Sequence, residues 1–176
     1  ADVICAVFQR VSIRGEKTTV RLTQNIPLAL MRGTAGITSS NLFSTESVQS
    51  VKGWDESLKS SQEYDLMFRI WQTGATFEVD LTPRAFIRER HSGQISQRDP
   101  AAKWTHLVLL RERMLTNFET DARVEESASI ALYQSFFDQL RNLAKYDLDT
   151  ALSFYSRILK PIRFSPKRSD ATTSAY

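Results

Sequence analysis

The chain has 176 residues, 41% hydrophobic and 24% charged, which suits one globular domain, or one domain with a helical appendage, and excludes wholesale disorder. Its net charge of +3 and pI of 9.1 favour anionic partners such as nucleotide diphosphates or acidic lipids. No nucleic-acid partner is expected, because interleaved basic and aromatic strand motifs are missing, and no run approaches the ~18 consecutive apolar residues of a membrane span.

In chain order, residues 2–13 read as a buried strand, with Val3, Cys5 and Val7 alternating with Ile4, Ala6 and Phe8. The opening at Ala1 has neither the basic flank nor the apolar length of a secretory signal and reads as a cut inside a longer protein. Cys5, the single cysteine, excludes an intrachain disulfide framework and suits a reducing compartment. Gly15-Glu16-Lys17 marks a turn and residues 18–22 a second short strand, followed by a loop or short helix over 27–31. Thr45 is a candidate cap for a short helix with Val48 and Val51 inward, closed by Gly53.

Residues 60–73 have the strongest helical pattern. Ser60-Ser61-Gln62-Glu63 resembles a capping box, Tyr64, Met67, Phe68 and Trp71 share a face, and Gly74 ends the run. Strand character returns over 76–90, interrupted by Pro83, and a polar loop covers 91–97. Three helical patterns then occupy 101–118, 124–144 and 148–159, Asp147 being placed to cap the last. Residues 166–176 lack periodicity and read as a flexible tail. The expected division is an α/β segment over 1–98, a helical extension over 99–165 and the tail.

Three ordered blocks carry a resemblance. They are Thr38-Ser39-Ser40-Asn41-Leu42-Phe43, then Gly53-Trp54-Asp55-Glu56-Ser57-Leu58 leading to Gln62-Glu63-Tyr64-Asp65-Leu66, Arg69 and Gly74, and last Arg90-His91-Ser92-Gly93-Gln94-Ile95-Ser96. Together they resemble the acceptor-side, C-terminal portion of glycosyltransferase family 2, over about residues 1–98. The resemblance implies an α/β fold: a partial GT-A-type mixed sheet with packed helices, followed here by the C-terminal helical extension. It also implies an inverting transferase, of the hexosyltransferase type, that moves a sugar from a nucleotide-sugar donor to a carbohydrate or lipid-linked acceptor in polysaccharide biosynthesis. The setting it implies is cytoplasmic, peripheral to the inner face of the membrane. The strands that normally grip the sugar nucleotide would lie upstream, so the chain alone is expected to be inactive.

In enzymes of this similarity the second acidic residue before Asp-Leu takes the proton of the acceptor hydroxyl. Here that position is Glu63, with Gln62 where the family has a further acid. A sugar hydroxyl is a poor nucleophile until deprotonated, and a placed base contributes about two to four orders of magnitude. Closing a capping box with Ser60 is the other role open to Glu63. Trp54, Asp55 and Glu56 are candidate acceptor-binding residues, since a flat ring stacks on a sugar face and carboxylates accept from its hydroxyls. An aromatic after a turn glycine is more often a core residue, and a solvated loop accounts equally well for the two acids.

Arg88, Arg90, Ser92 and Gln94 are donors suited to a diphosphate. His91 is the candidate metal ligand by the same resemblance, in an intact enzyme expected to use a divalent metal, Mg or Mn. Asp65 and Arg69, four apart, suit an ion pair. Near the end, Ile158, Leu159, Ile162 and Phe164 alternate with Lys160, Arg163, Lys167 and Arg168, an arrangement compatible with peripheral contact to anionic membrane. The rival to an enzyme is a non-catalytic interaction module on the same scaffold, which exposed apolar surface over 124–159 would favour.

Overall fold

The computed structural model describes residues 1–58, 60–89 and 99–166. Its chain order is β1 (Val3–Val11), β2 (Lys17–Val20), α1 (Ile26–Arg32), β3 (Leu42–Phe43), α2 (Thr45–Ser50), α3 (Gln62–Gln72), β4 (Phe77–Arg88), α4 (Pro100–Phe118), α5 (Ser129–Leu143) and α6 (Leu148–Phe154). A 3-10 turn, Glu126–Ala128, precedes α5, and a π-helical turn, Tyr155–Leu159, continues α6. The fold is mixed α/β, with a mixed sheet, packed helices and a C-terminal run of helices.

β1 is the spine of the sheet. Val3 faces Phe43 of antiparallel β3 and also Phe77 of parallel β4, while Phe8 faces Val20 of antiparallel β2 and also Ala85 of β4. A strand has two edges, so β4 takes one, and β3 and β2 share the other in succession. β4 follows β1 to Asp80, then swells around Pro83 before resuming at Ala85. Proline cannot donate to a ladder, which explains why the interruption falls there.

Several helix ends differ from the sequence expectation. Ser44, not Thr45, caps α2, accepting from the Ser47 amide at 3.1 Å. The capping box at 60–63 does not form: Ser61 precedes α3 in the left-handed region at φ 61° and makes no side-chain cap bond, and the Ser60 hydroxyl is buried without a partner among the described residues. Asp147 does cap α6, accepting from the Thr150 amide at 3.0 Å.

Both the α/β segment and the later helices feed one core. Val3, Cys5, Leu30, Met67 and Phe68 join Val108, Met114, Phe118, Phe136, Leu143 and Leu159 in one buried cluster. Phe68 and Phe118 meet edge to face at 5.9 Å, the favoured aromatic geometry. Polar ties reinforce the junction: the Trp71 indole N–H donates to Asp121 at 2.9 Å, and the Arg123 guanidinium lies 4.1 Å over the Trp71 ring. The helices over 100–159 are therefore a wall of the same core.

Most of the apolar residues near the end pack inward, while Lys160, Ile162 and Arg163 stay exposed. Leu159 is fully buried, Ile158 packs on the core, and Phe164 stacks on Tyr133 and Phe137, which leaves Ile162 exposed. The helical spacing there serves the core. Among the described residues no helix is long and apolar enough to cross a membrane.

The hydrogen bond from Arg123 holds the Asp121 carboxyl far below the usual carboxylate range, with further help from the Trp71 N–H. A depressed folded-state pKa stabilises the fold above the unfolded value of 3.8 and loses that contribution as pH falls through the folded value. Asp121→Asn should therefore lower the thermal midpoint at pH 7 and flatten its fall below about pH 4. Parallel melting curves of the two proteins from pH 2 to 7 check this.

Candidate functional site

The site begins with a gap in the sheet. On the edge of β1 shared by β3 and β2, pairing stops at Ile4 and resumes at Phe8, so the Ala6 amide lacks a strand partner there. Asn41, buried at the entrance to β3, fills the gap. Its Oδ1 accepts from the Ala6 N–H at 3.2 Å, and its Nδ2 donates to the Ala35 carbonyl at 2.8 Å and to Met67 Sδ at 3.6 Å. An unpaired buried amide costs about 1–3 kcal/mol, which is why a side-chain amide is drawn into this position.

Gly36 sits against that amide. Its φ is +82°, and a Cβ there would lie 2.1 Å from Asn41 Oδ1. The Gly36 carbonyl accepts from the Tyr64 hydroxyl at 3.0 Å, tying the 35–41 loop to the first turn of α3. Thr38 and Ser39 stand exposed at the loop tip, while Ser40 is buried and bonds back to the Ile37 carbonyl.

α3 runs antiparallel to β1 and β4. Trp71 packs on Phe77 at 5.7 Å, level with Val3, and Met67 lies level with Ala6 through Asn41. Glu63 is one further turn along, toward the C-terminal ends of the parallel pair. In open α/β sheets that is the end at which ligands bind. Four-residue spacing puts Glu63 on the Met67 face, beside the 35–41 loop. It is half-buried, and among the described residues its carboxylate has neither hydrogen bond nor ion pair.

The rest of the motif faces elsewhere on α3. Asp65, 2% exposed, pairs with Arg69 Nε at 2.7 Å and with Arg113 of α4 at 3.4 Å. Arg69 Nη1 donates to the Val51 carbonyl at 2.7 Å, and Gln62 Nε2 donates to the Leu58 carbonyl at 2.6 Å. The loop carrying Trp54, Asp55 and Glu56 is thus held at both ends by one face of α3. A glutamine supplies the N–H for the bond to Leu58, which a carboxylate could not.

Within that loop Trp54 is 40% exposed, so it is not a core residue. Asp55 accepts from the Ser57 hydroxyl at 2.6 Å and the Ser57 amide at 2.9 Å, and these bonds hold its carboxyl below its ordinary pKa. Glu56 is exposed. Helical spacing sets this loop about a third of a turn around α3 from Glu63, on the Gln62 and Arg69 side.

Arg88 ends β4 opposite Val11 and is exposed. Arg90, His91, Ser92 and Gln94 lie outside the described residues. Among the described residues no three His, Cys, Asp or Glu side chains gather closely enough to hold a metal ion. Sequence reasoning assigned no site role to Asn41, Gly36 or Tyr64. The glycine with an asparagine five residues on was the available signal, but only the missing strand partner gives it meaning. No protein-family model matches the chain, and no curated protein or solved structure matches it.

Two outcomes test this construction. Asp65→Ala strands the Arg69 guanidinium and should cost about 3 kcal/mol, the scale for breaking one side of a buried pair; denaturant unfolding measures it. Gly36→Ala should cost about 2 kcal/mol or more, because it adds backbone strain and displaces Asn41. Gly74→Ala, also at positive φ but facing open space, should cost only about 1 kcal/mol.

Proposed function

We propose that the chain is the acceptor-side portion of an inverting glycosyltransferase of the GT-A type resembling family 2, with Glu63 as general base. The observation that carries this reading is the division of labour along α3. Gln62 and Arg69 bond to neighbouring loop carbonyls and Asp65 pairs with Arg69 and Arg113, whereas the Glu63 carboxylate on the same helix has no hydrogen bond or ion pair among the described residues. A carboxylate left unengaged at the C-terminal end of parallel strands is available to take a proton.

In this mechanism Glu63 accepts the proton of the acceptor hydroxyl as that oxygen forms its bond to the anomeric carbon. The bond from that carbon to the nucleotide diphosphate breaks, and the diphosphate leaves with the electron pair. Trp54 offers a stacking face, and Asp55 and Glu56 offer acceptors for sugar hydroxyls. The residues proposed for the diphosphate are Arg88, Arg90, Ser92 and Gln94. A divalent metal near His91 would neutralise the leaving group's charge when bound. The nucleotide sugar and a carbohydrate or lipid-linked acceptor are the proposed partners.

A second reading has its own support. Tyr146, Leu148 and Leu152 are more than half exposed around the start of α6, and Ile130 on α5 is 67% exposed. Scattered exposed leucines are ordinary, but two one turn apart on a short helix are the anchor pattern of a docking face. That reading makes the chain an interaction module on a glycosyltransferase-like scaffold.

Sugar transfer by the unsubstituted parent protein separates the two, and Glu63→Gln tests the base. Glutamine keeps the shape and cannot take the proton, so kcat should fall about a hundredfold or more with donor KM and thermal midpoint little changed. Unchanged kcat under saturating donor and acceptor would exclude Glu63 as the base.

A further inference from the structure

We infer that Arg111, on the helical segment beyond the motif-bearing region, is the positioning residue that locks the 35–41 loop to the first turn of α3. Three observations converge on it. Arg111 is only 1% exposed, and its guanidinium lies 4.9 Å over the Tyr64 ring. Its Nε donates to the Met31 carbonyl at 2.9 Å, close to the end of α1 from which the 35–41 loop departs. Tyr64 in turn reaches the Gly36 carbonyl with its hydroxyl.

One buried cation therefore meets the Tyr64 ring and the end of α1 that leads, five residues on, to Gly36. It fixes the ring from one side and the root of the loop from the other. Burying a charge is costly unless it is met by dipoles and π faces, so the guanidinium is committed to this geometry. A leucine would fill the same space but could not orient the phenol or hold the Met31 carbonyl. Glu63 immediately precedes Tyr64, so the position of its carboxylate relative to the loop follows from the same lock. The geometric claim is independent of the reaction; its link to catalysis rests on the glycosyltransferase reading.

Hydrogen exchange on the full chain tests it. Arg111→Met keeps length and apolar bulk while deleting the guanidinium. The amides of Ser40, Asn41 and Asp65, which bond to Ile37 and Ser61 carbonyls, should exchange about tenfold faster or more, while Thr150 and Ala151 in α6 keep their rates. Arg111→Lys retains a cation and should restore much of the protection. Tyr64→Phe should loosen Ser40 and Asn41 similarly, and the double variant should be no looser than the looser single one.

Uniform acceleration that includes α6, or no acceleration at Ser40 and Asn41, overturns the proposal. If Arg111→Met does not fold, unchanged protection at those amides in folded Tyr64→Phe overturns it. In the parent enzyme the lysine variant should retain kcat better than the methionine variant. Absence of sugar transfer by the parent protein would sink the glycosyltransferase reading and leave the exchange result standing.

Discussion

The amide of Ala6 has no strand to bond to on one side, and much of the candidate site is arranged around the side chain that answers it. β3 covers only the first part of that edge of β1 and β2 only the last. Asn41 spans the interval, and its second amide function fixes Ala35. A side chain placed there requires a neighbour without a Cβ, hence Gly36, and the turn through Gly36 turns a carbonyl toward Tyr64. Hydrogen bonds at Ala6, Ala35 and Gly36, with the space that Gly36 leaves for Asn41, thus link the sheet gap to Tyr64, the residue beside Glu63.

The same logic divides the polar motif of α3 into engaged and unengaged members. Asp65, Arg69 and Gln62 lie on one face and secure the Trp54 loop at Val51 and Leu58. Glu63 lies on the neighbouring face with Met67. Residues close in sequence and alike in chemistry thus take different roles through helical geometry alone. The Trp54 loop is tethered on one face of α3, and the half-buried Glu63 lies about a third of a turn away on another.

The later helices share in this construction. Arg111 and Arg113 project from α4 toward Tyr64 and Asp65, and Asp121 receives the Trp71 N–H. Both the first turn and the last turn of α3 are therefore backed by groups from beyond residue 100. Burial of Phe118, Phe136 and Leu159 in the common core supplies the apolar area that holds these polar ties in place.

Periodicity in the sequence by itself determined the strands at both parallel positions, the helix over 62–72, and the helical character from 100 onward, because alternation and four-residue spacing are local properties of the chain. The Asp65–Arg69 pair and the Asp147 cap were legible for the same reason, since both close within one helical turn. Ser60 was misread because its fitness as a cap depended on the backbone angle of Ser61, which composition does not specify. The inward packing of Phe164 on Tyr133 and Phe137 could not be read from the spacing near 158–164, because those rings come from a different helix. The roles of Asn41, Gly36 and Arg111 were invisible until β1 had partners, because each answers a hydrogen-bonding group or a ring contributed by a distant part of the chain, and such demands exist only after the tertiary structure has brought those parts together.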